Sequence, residues 1–139
     1  MLRLVRSFFI PRILTTRYTL GKTERLKSRK AIDHLFDKGQ RFNVGSLRVY
    51  FLPVTNTGIR AGVSVSSRNF SKAVDRNRVK RLLRETYRLQ KHLVAGHLPA
   101  DKGLDLFFVY TEKQLPEFLL LKVQMEKALL KINLLLAKA

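Results

Sequence analysis

The segment from Val74 to Lys91 places its apolar residues at the spacing of an α-helix, and this periodicity constrains the fold more than any other feature. At about 100° per residue, one side of that helix carries Val79, Leu82, Leu83, Thr86 and Leu89. The opposite side carries cationic and amide residues, namely Arg76, Asn77, Lys80, Arg81, Arg84, Arg88 and Lys91. We therefore expect an α-helix whose apolar back is anchored on a sheet and whose basic side is exposed.

The basic side of this helix has little internal neutralisation, because only Glu85 borders it. Like charges three or four residues apart destabilise a helix by a few tenths of a kcal/mol per pair, so an ordinary solvated face would mix signs. The whole chain carries 28 Lys and Arg against 10 Asp and Glu, a formal net charge of +18. This excess of positive charge favours a phosphate-binding surface over a merely solvated one. Arginine is suited to phosphate because its planar guanidinium can bind it with two hydrogen bonds.

The segments before the basic helix predict one helix and a pair of strands. Residues 28–38 carry apolar residues at helical spacing, with Ser28 as a capping residue and Gly39 after the end. Residues 46–52 are rich in aromatic and β-branched side chains, and residues 59–66 alternate apolar with polar ones. We predict that these two runs form an antiparallel hairpin with one buried face.

The segments after the basic helix predict a buried strand over residues 104–110 and a packing helix over residues 115–138. The predicted order is helix, two or three strands, basic helix, strand and helix. Helices packed on a small sheet make an α+β domain, and the length suits a single one, residues 22–139. Asp105, inside the apolar strand, is interpreted as marking a strand edge.

Residues 1–21 are predicted to be a basic, flexible N-terminal extension. A signal peptide is not expected, since Arg6, Pro11 and Arg12 leave an apolar run shorter than the ~7–15 residues that such a peptide needs. No later segment approaches the ~20 apolar residues of a membrane span. We expect a cytoplasmic protein with no membrane partner.

The composition also limits the chemistry that the chain can perform. It has no Cys, which excludes disulfides, thiolate zinc sites and a cysteine nucleophile. Its three histidines, His34, His92 and His97, lie in unrelated segments, and no phosphate-binding loop or paired-carboxylate motif is present. We predict that the protein contains no catalytic residue and no metal site.

Residues 73–85, AVDRNRVKRLLRE, resemble the signature of the protein component of bacterial ribonuclease P, AV-x-RNR-x-KR-x-x-RE. The flanks agree, because residues 62–66 resemble the strand before that signature and residues 24–27, ERLK, resemble the N-terminal segment of the family. The resemblance spans roughly residues 22–135. It implies a four-stranded mixed sheet, the order α-β-β-β-α-β-α, and a left-handed crossover from one parallel strand to the next through the basic helix.

The resemblance also implies a function. The protein would be the accessory subunit of an RNA-based endoribonuclease, one protein per RNA, which removes the 5′ leader of precursor tRNA. The catalytic RNA would carry out the hydrolysis with magnesium that is held mainly by the RNA rather than by the protein. The implied RNA-binding residues are Arg76, Asn77, Arg78, Lys80, Arg81, Arg84 and Arg88. The implied leader-binding cleft contains Ile32, Phe36 and Tyr50.

Several alternatives stay open from the sequence. Ile32 and Phe36 could equally be core residues at helical spacing, and Ile32 stands where the family usually has an aromatic residue. The connection formed by residues 67–72 also departs from the family pattern. A structural RNA-binding protein, such as a ribosomal protein, fits the composition as well. A DNA-binding module fits less well, since so many arginines suit phosphates better than base edges.

Overall fold

The computed structural model describes residues 21–55, 58–95 and 102–138. After a short 3-10 turn, Lys22–Glu24, the elements are α1 (Arg29–Lys38), β1 (Gln40–Val44), β2 (Leu47–Val54), β3 (Gly58–Val65), α2 (Ala73–Gln90), α3 (His92–Ala95), β4 (Gly103–Tyr110) and α4 (Phe118–Lys138). The predicted order of long elements is confirmed, with the four-residue α3 added. The predicted flexible extension, residues 1–21, lies outside the described residues except for Gly21.

The four strands form one mixed sheet in the order β1-β2-β4-β3. β1 pairs with β2 and β2 with β4 in antiparallel fashion, whereas β3 and β4 are parallel. Helix α2 connects the two parallel strands, as the family resemblance implies. The left hand of this crossover stays a prediction.

The predicted hairpin between residues 46–52 and 59–66 is wrong, because β4 lies between β2 and β3. All but one of the residues of β4 are buried. A strand covered on both faces belongs in the middle of a sheet, and this displaces β3 to the edge. The hairpin in the structure joins β1 to β2 through Gly45 and Ser46, and Gly45 has the positive φ of 55° that glycine adopts without strain. This Gly-Ser pair between two strand-like runs was the signal in the sequence.

Successive side chains of a strand point to opposite faces, and this sheet has apolar side chains on both faces, each covered by helices. One face packs against α2 and α4, where the main core includes Val49, Phe51, Leu106, Phe108 and Met125. The other face packs against α1 through a smaller cluster with Leu26, Leu35 and Phe107 at its centre. The two faces therefore present different surfaces to solvent, one built on α2 and one beside α1.

Helix α1 begins and ends where the sequence predicts. The Ser28 hydroxyl accepts a hydrogen bond from the backbone N–H of Ala31, which caps the helix, and the N–H of Gly39 donates to the carbonyl of Leu35 at 2.8 Å. Leu35 is fully buried against the sheet. The hydrogen bonds fix the ends of α1, and the burial of Leu35 against Phe107 and its neighbours holds the helix on β2 and β4.

Asp105 does not mark a strand edge, contrary to the prediction. It is the third residue of the central strand β4, only 3% exposed, and it lies directly opposite Arg60 of β3. The Nε and Nη2 atoms of Arg60 each donate to one carboxylate oxygen of Asp105 at 2.9 Å. This two-pronged ion pair is what allows a carboxylate to be buried in an apolar strand.

Candidate nucleic-acid interface

Helix α2 is anchored by a mixture of apolar and polar residues on its inner side. Its buried residues are Val79, Leu83, Thr86, Tyr87 and Gln90. The Thr86 hydroxyl donates to the carbonyl of Leu83, and the Gln90 amide donates to the carbonyls of Thr86 and of Lys122 in α4. The prediction of a buried back is confirmed at Val79, Leu83 and Thr86, while Leu82 and Leu89 are only half-buried. Tyr87 was missed, although it follows Leu83 by one helical turn.

The outer side of α2 presents a group of cations that we call the basic face. Its members Asn77, Arg78, Arg81 and Arg84 are exposed and Lys80 is half-buried. Within the described ranges, none of the four cations forms a salt bridge. Since positions three and four apart lie next to each other on a helix, these cations form one continuous positive surface.

The other two predicted cations at the end of this helix have acidic partners. Arg88 forms a salt bridge with Glu85, one turn earlier, and its Nε donates to Glu85 Oε1 at 3.0 Å. This hydrogen bond lowers the pKa of the Glu85 carboxyl, and the same contact raises the pKa of Arg88. Lys91 binds Glu24 at 2.5 Å and so ties the N-terminal 3-10 turn to the end of α2. Part of the positive charge of Arg88 is therefore already neutralised by Glu85.

Arg76 is not on the exposed basic side of α2, where the helical spacing predicted it. It is half-buried, and its Nη1 donates to the carbonyls of Phe70 and Ser71 at 2.8 and 2.9 Å. Phe70 is itself buried and stacks on Tyr110, with ring centroids 6.2 Å apart. The Asn69 amide also donates to the carbonyl of Thr111. These contacts hold the atypical connection of residues 67–72 against the end of β4, so one guanidinium nitrogen of Arg76 already has partners.

A second surface lies on the opposite side of the sheet, beside α1. Phe36 is 45% exposed, and its ring centroid lies 4.6 Å from that of Tyr50 and 5.2 Å from that of Phe107. Ile32 and Tyr50 are half-buried and pack on the same cluster. The structure therefore brings together all three residues predicted for the leader cleft. We call Ile32, Phe36, Tyr50 and Phe107 the aromatic cleft, of which Phe107 was not predicted.

The aromatic cleft is bordered by cations and by a glycine. Arg41 lies opposite Tyr50 in β1, and Arg48 lies two residues before Tyr50 in β2; both arginines are exposed. Gly62 lies opposite Phe107, and a Cβ atom there would come within 2.7 Å of the Phe107 ring. The missing side chain leaves room for this ring on the sheet. The exposed ring of Phe36 and the half-buried ring of Tyr50, with arginines beside them, suit single-stranded nucleic acid, whose bases stack while its phosphates bind cations.

A cleft of about 240 Å³ crosses the β3 edge between the two surfaces. Its lining includes Arg25 and Lys27 from the segment before α1, Gly62 from β3, and Arg84 and Tyr87 from α2. Burial raises the pKa of the Tyr87 hydroxyl, and the charge of Glu24 raises it further, so this hydroxyl stays neutral. The cleft thus brings three cations, Arg25, Lys27 and Arg84, together at the β3 edge of the sheet.

Comparison with known proteins identifies the family. A family model described as Ribonuclease P matches residues 20–133. A "Ribonuclease P protein component" of Porphyromonas gingivalis strain W83 is 37% identical over 119 residues, which cover 83% of this chain and 87% of that protein. The chain belongs to the ribonuclease P protein component family. A relative with the same description from Desulfovibrio desulfuricans is 41% identical over 76 residues, covering 54% of this chain and 58% of its own.

Solved structures of ribonuclease P proteins share the fold. The protein from Staphylococcus aureus has a TM-score of 0.61 at 26% identity, and the match covers 80% of this chain and 95% of that one. The protein from Thermotoga maritima has a TM-score of 0.65 at 25% identity, covering 78% and 96%. The α+β fold with a four-stranded mixed sheet is thereby confirmed.

Membership in the ribonuclease P family makes this chain a subunit of a tRNA-processing ribonucleoprotein whose RNA partner is the ribonuclease P RNA. None of these comparisons supports the alternative of a structural protein such as a ribosomal one. Within the part of the chain that the structure describes, no helix is both long and apolar enough to cross a membrane. His34 and His92 are exposed, and His97 lies outside the described residues.

Proposed function

We propose that this protein is an accessory subunit with two nucleic-acid surfaces. The basic face of α2 binds the catalytic RNA, and the aromatic cleft binds the single-stranded 5′ leader of precursor tRNA, which promotes removal of the leader. The observation that carries the proposal is the pair of surfaces itself: on one side of the sheet are cations with no acidic partner among the described residues, and on the other are partly exposed aromatic rings. The protein supplies affinity and position, while the RNA supplies the chemistry.

The basic face is the part of α2 best suited to phosphates. The basic face can bind phosphate without giving up an ion pair to any residue that the structure describes; its members are Asn77, Arg78, Lys80, Arg81 and Arg84. Arg88 would exchange or share its contact with Glu85, and Arg76 would contact RNA through nitrogens other than the Nη1 that holds residues 70 and 71. Each phosphate that is neutralised releases counterions, so assembly weakens as salt concentration rises.

The aromatic cleft is suited to a leader of any sequence. Stacking of a base on an aromatic ring contributes about 1–3 kcal/mol and requires no particular base. Phe36 offers the most exposed ring of the cleft, while Arg41 and Arg48 lie where they can bind the leader phosphates. Mature tRNA lacks the leader, so it would lose these contacts.

Magnesium binding, stoichiometry and location complete the proposed function. Magnesium is held mainly by the RNA, because Mg²⁺ keeps several of its waters and prefers phosphate oxygens in such complexes. The described residues contain no group of three or more acidic or histidine side chains that fits a metal ion. The protein contributes no catalytic residue, one protein binds one RNA, and the complex works in the cytoplasm.

Reconstitution at low magnesium tests this proposal. We expect the protein, mixed with ribonuclease P RNA and precursor tRNA, to accelerate release of the 5′ leader by at least tenfold over RNA alone, about 1.4 kcal/mol of barrier. Gel analysis of end-labelled precursor tRNA measures the rate. A precursor with its leader cut back to one nucleotide is the matched control and should gain less. Tight RNA binding with no acceleration would contradict the proposal and favour a purely structural role.

Replacement of Phe36 by alanine tests the cleft separately. We expect the preference of the holoenzyme for precursor over mature tRNA to fall about tenfold, since one stacked base is lost. Equilibrium binding of both tRNAs measures the ratio, and Phe36→Tyr should retain it. Phe118→Ala removes a half-buried ring at the start of α4 and serves as the control. An unchanged ratio for a folded Phe36→Ala protein would show that Phe36 only packs against the sheet.

A further inference from the structure

The outer side of α4 carries an apolar strip that nothing in the described structure covers. The helix buries Leu121, Met125, Ala128, Leu129 and Ile132 on its inner side. On the outer side Leu119, Val123, Leu130 and Leu134 remain between 46% and 66% exposed. Their spacing of four, seven and four residues puts them within a sector of about 60°, along about 22 Å of helix. Two apolar pairs aligned on one helix face indicate an interaction surface more strongly than single exposed leucines do.

Two opposite charges flank the middle of this strip. Glu126 lies on one side of it and Lys127 on the other, and both side chains are exposed. Neither forms a salt bridge with any of residues 21–55, 58–95 or 102–138. These two charges offset each other and the four apolar side chains carry none, so on a chain whose net charge is +18 this is not the surface that a polyanion would select.

We propose that two copies of this chain associate through this strip, with their α4 helices parallel and in register. The interface would comprise the strip, formed by Leu119, Val123, Leu130 and Leu134, and the two charges that flank it, Glu126 and Lys127. In a two-fold parallel pair the left flank of one helix faces the right flank of the other, so Glu126 of each copy meets Lys127 of the other. The four apolar residues then pack against their own equivalents across the axis.

The charges decide between the parallel pair and the antiparallel one. In an antiparallel two-fold pair each flank faces its own equivalent, so Glu126 would meet Glu126 and Lys127 would meet Lys127. The parallel arrangement replaces these like-charge contacts with two attractive ones.

The size of the strip and the charge of the chain set the strength of the dimer. A single helix pair of this length belongs to the class of small interfaces, so we expect a dissociation constant on the order of 10 μM. Two chains at +18 repel each other, and added salt screens that repulsion. The dimer should therefore tighten as salt rises, the opposite of RNA binding, so the two associations can be tested independently.

Sedimentation of the full chain without RNA, from 2 to about 200 μM and at about 0.15 and 0.5 M salt, tests the association. We expect Glu126→Lys to weaken the dimer at least tenfold and the exchange Glu126→Lys with Lys127→Glu to restore it. Glu112→Lys makes the same charge change in the loop before α4 and should match the unaltered chain. A monomer at every concentration, or equal behaviour of the two lysine variants, would overturn the proposal.

Single cysteines test the orientation, because the chain has no Cys of its own. In the parallel pair Val123→Cys lies next to its equivalent, within the Cα separation of about 7 Å that a disulfide allows. We expect mild oxidation to cross-link this variant with itself, and an exposed Leu115→Cys control to stay monomeric. Cross-linking only between Val123→Cys and Leu130→Cys chains would overturn the parallel pair. A monomeric Val123→Cys chain whose thiol resists maleimide would show that another part of the same chain covers the strip.

Discussion

Replacing both Arg81 and Arg84 by alanine is expected to weaken binding of ribonuclease P RNA about 100-fold, and to lower the slope of log affinity against log salt by about 1.5 to 2. Both guanidinium groups are exposed on the basic face, and neither has an acidic partner within the described residues. Each would therefore lose a charge-assisted phosphate contact, roughly tenfold in affinity apiece. Alanine favours helix, and the buried side of α2 is unchanged, so the fold should persist.

Filter binding over a salt series measures both quantities. The matched control is Lys102→Ala with Lys113→Ala, which removes the same charge from exposed positions outside α2. Arg76 is left out of the test because its loss would also release the carbonyls of Phe70 and Ser71. If the double arginine variant and the lysine control had the same salt slope, α2 would not be the main RNA contact.

Arg60→Met is expected to lower the free energy of unfolding by about 3–5 kcal/mol. Asp105 is 3% exposed, and both of its carboxylate oxygens accept hydrogen bonds from Arg60. Methionine fills much of the same space but leaves a buried carboxylate with no cation. The cost arises from that unpaired charge rather than from lost packing, and a loss this large is a substantial part of the ~5–15 kcal/mol that stabilises a typical domain.

Urea denaturation followed by circular dichroism measures this change. Adding Asp105→Leu to Arg60→Met should restore most of the stability, because an apolar pair of similar volume has no charge to desolvate. Arg48→Met removes an exposed arginine from the same sheet face and should change the unfolding free energy by less than about 0.5 kcal/mol. A loss below about 1 kcal/mol for Arg60→Met would mean that water reaches Asp105.

The helices and the sheet content could be predicted from local patterns, whereas the strand pairing could not. Periodicity and capping residues located α1, α2 and α4, because a helix is stabilised by contacts within a few turns. Neighbouring strands in the sequence were expected to pair, but β4 lies between β2 and β3. That choice depends on which strand must be covered on both faces, which is a property of the assembled domain.

The candidate sites, too, could be predicted only in part from the sequence. The positions of Arg78, Arg81 and Arg84 on one exposed helix face followed from helical spacing. Spacing along one helix could not show that Arg76 turns back to the carbonyls of residues 70 and 71. It also could not show that Arg88 and Lys91 bind Glu85 and Glu24, or that Phe107 completes the aromatic cleft.

The sequence by itself determined the elements, the excess of positive charge and, through the residues 73–85, the family. Net charge depends only on composition, and the helical patterns and the family signature depend on residues that are close together along the chain. Only the tertiary structure decided which cations of α2 bind acidic partners and which aromatic rings meet across α1, β2 and β4. The physical reason is that electrostatic and stacking energies fall off with distance in space, and folding brings together residues that the sequence separates by dozens of positions.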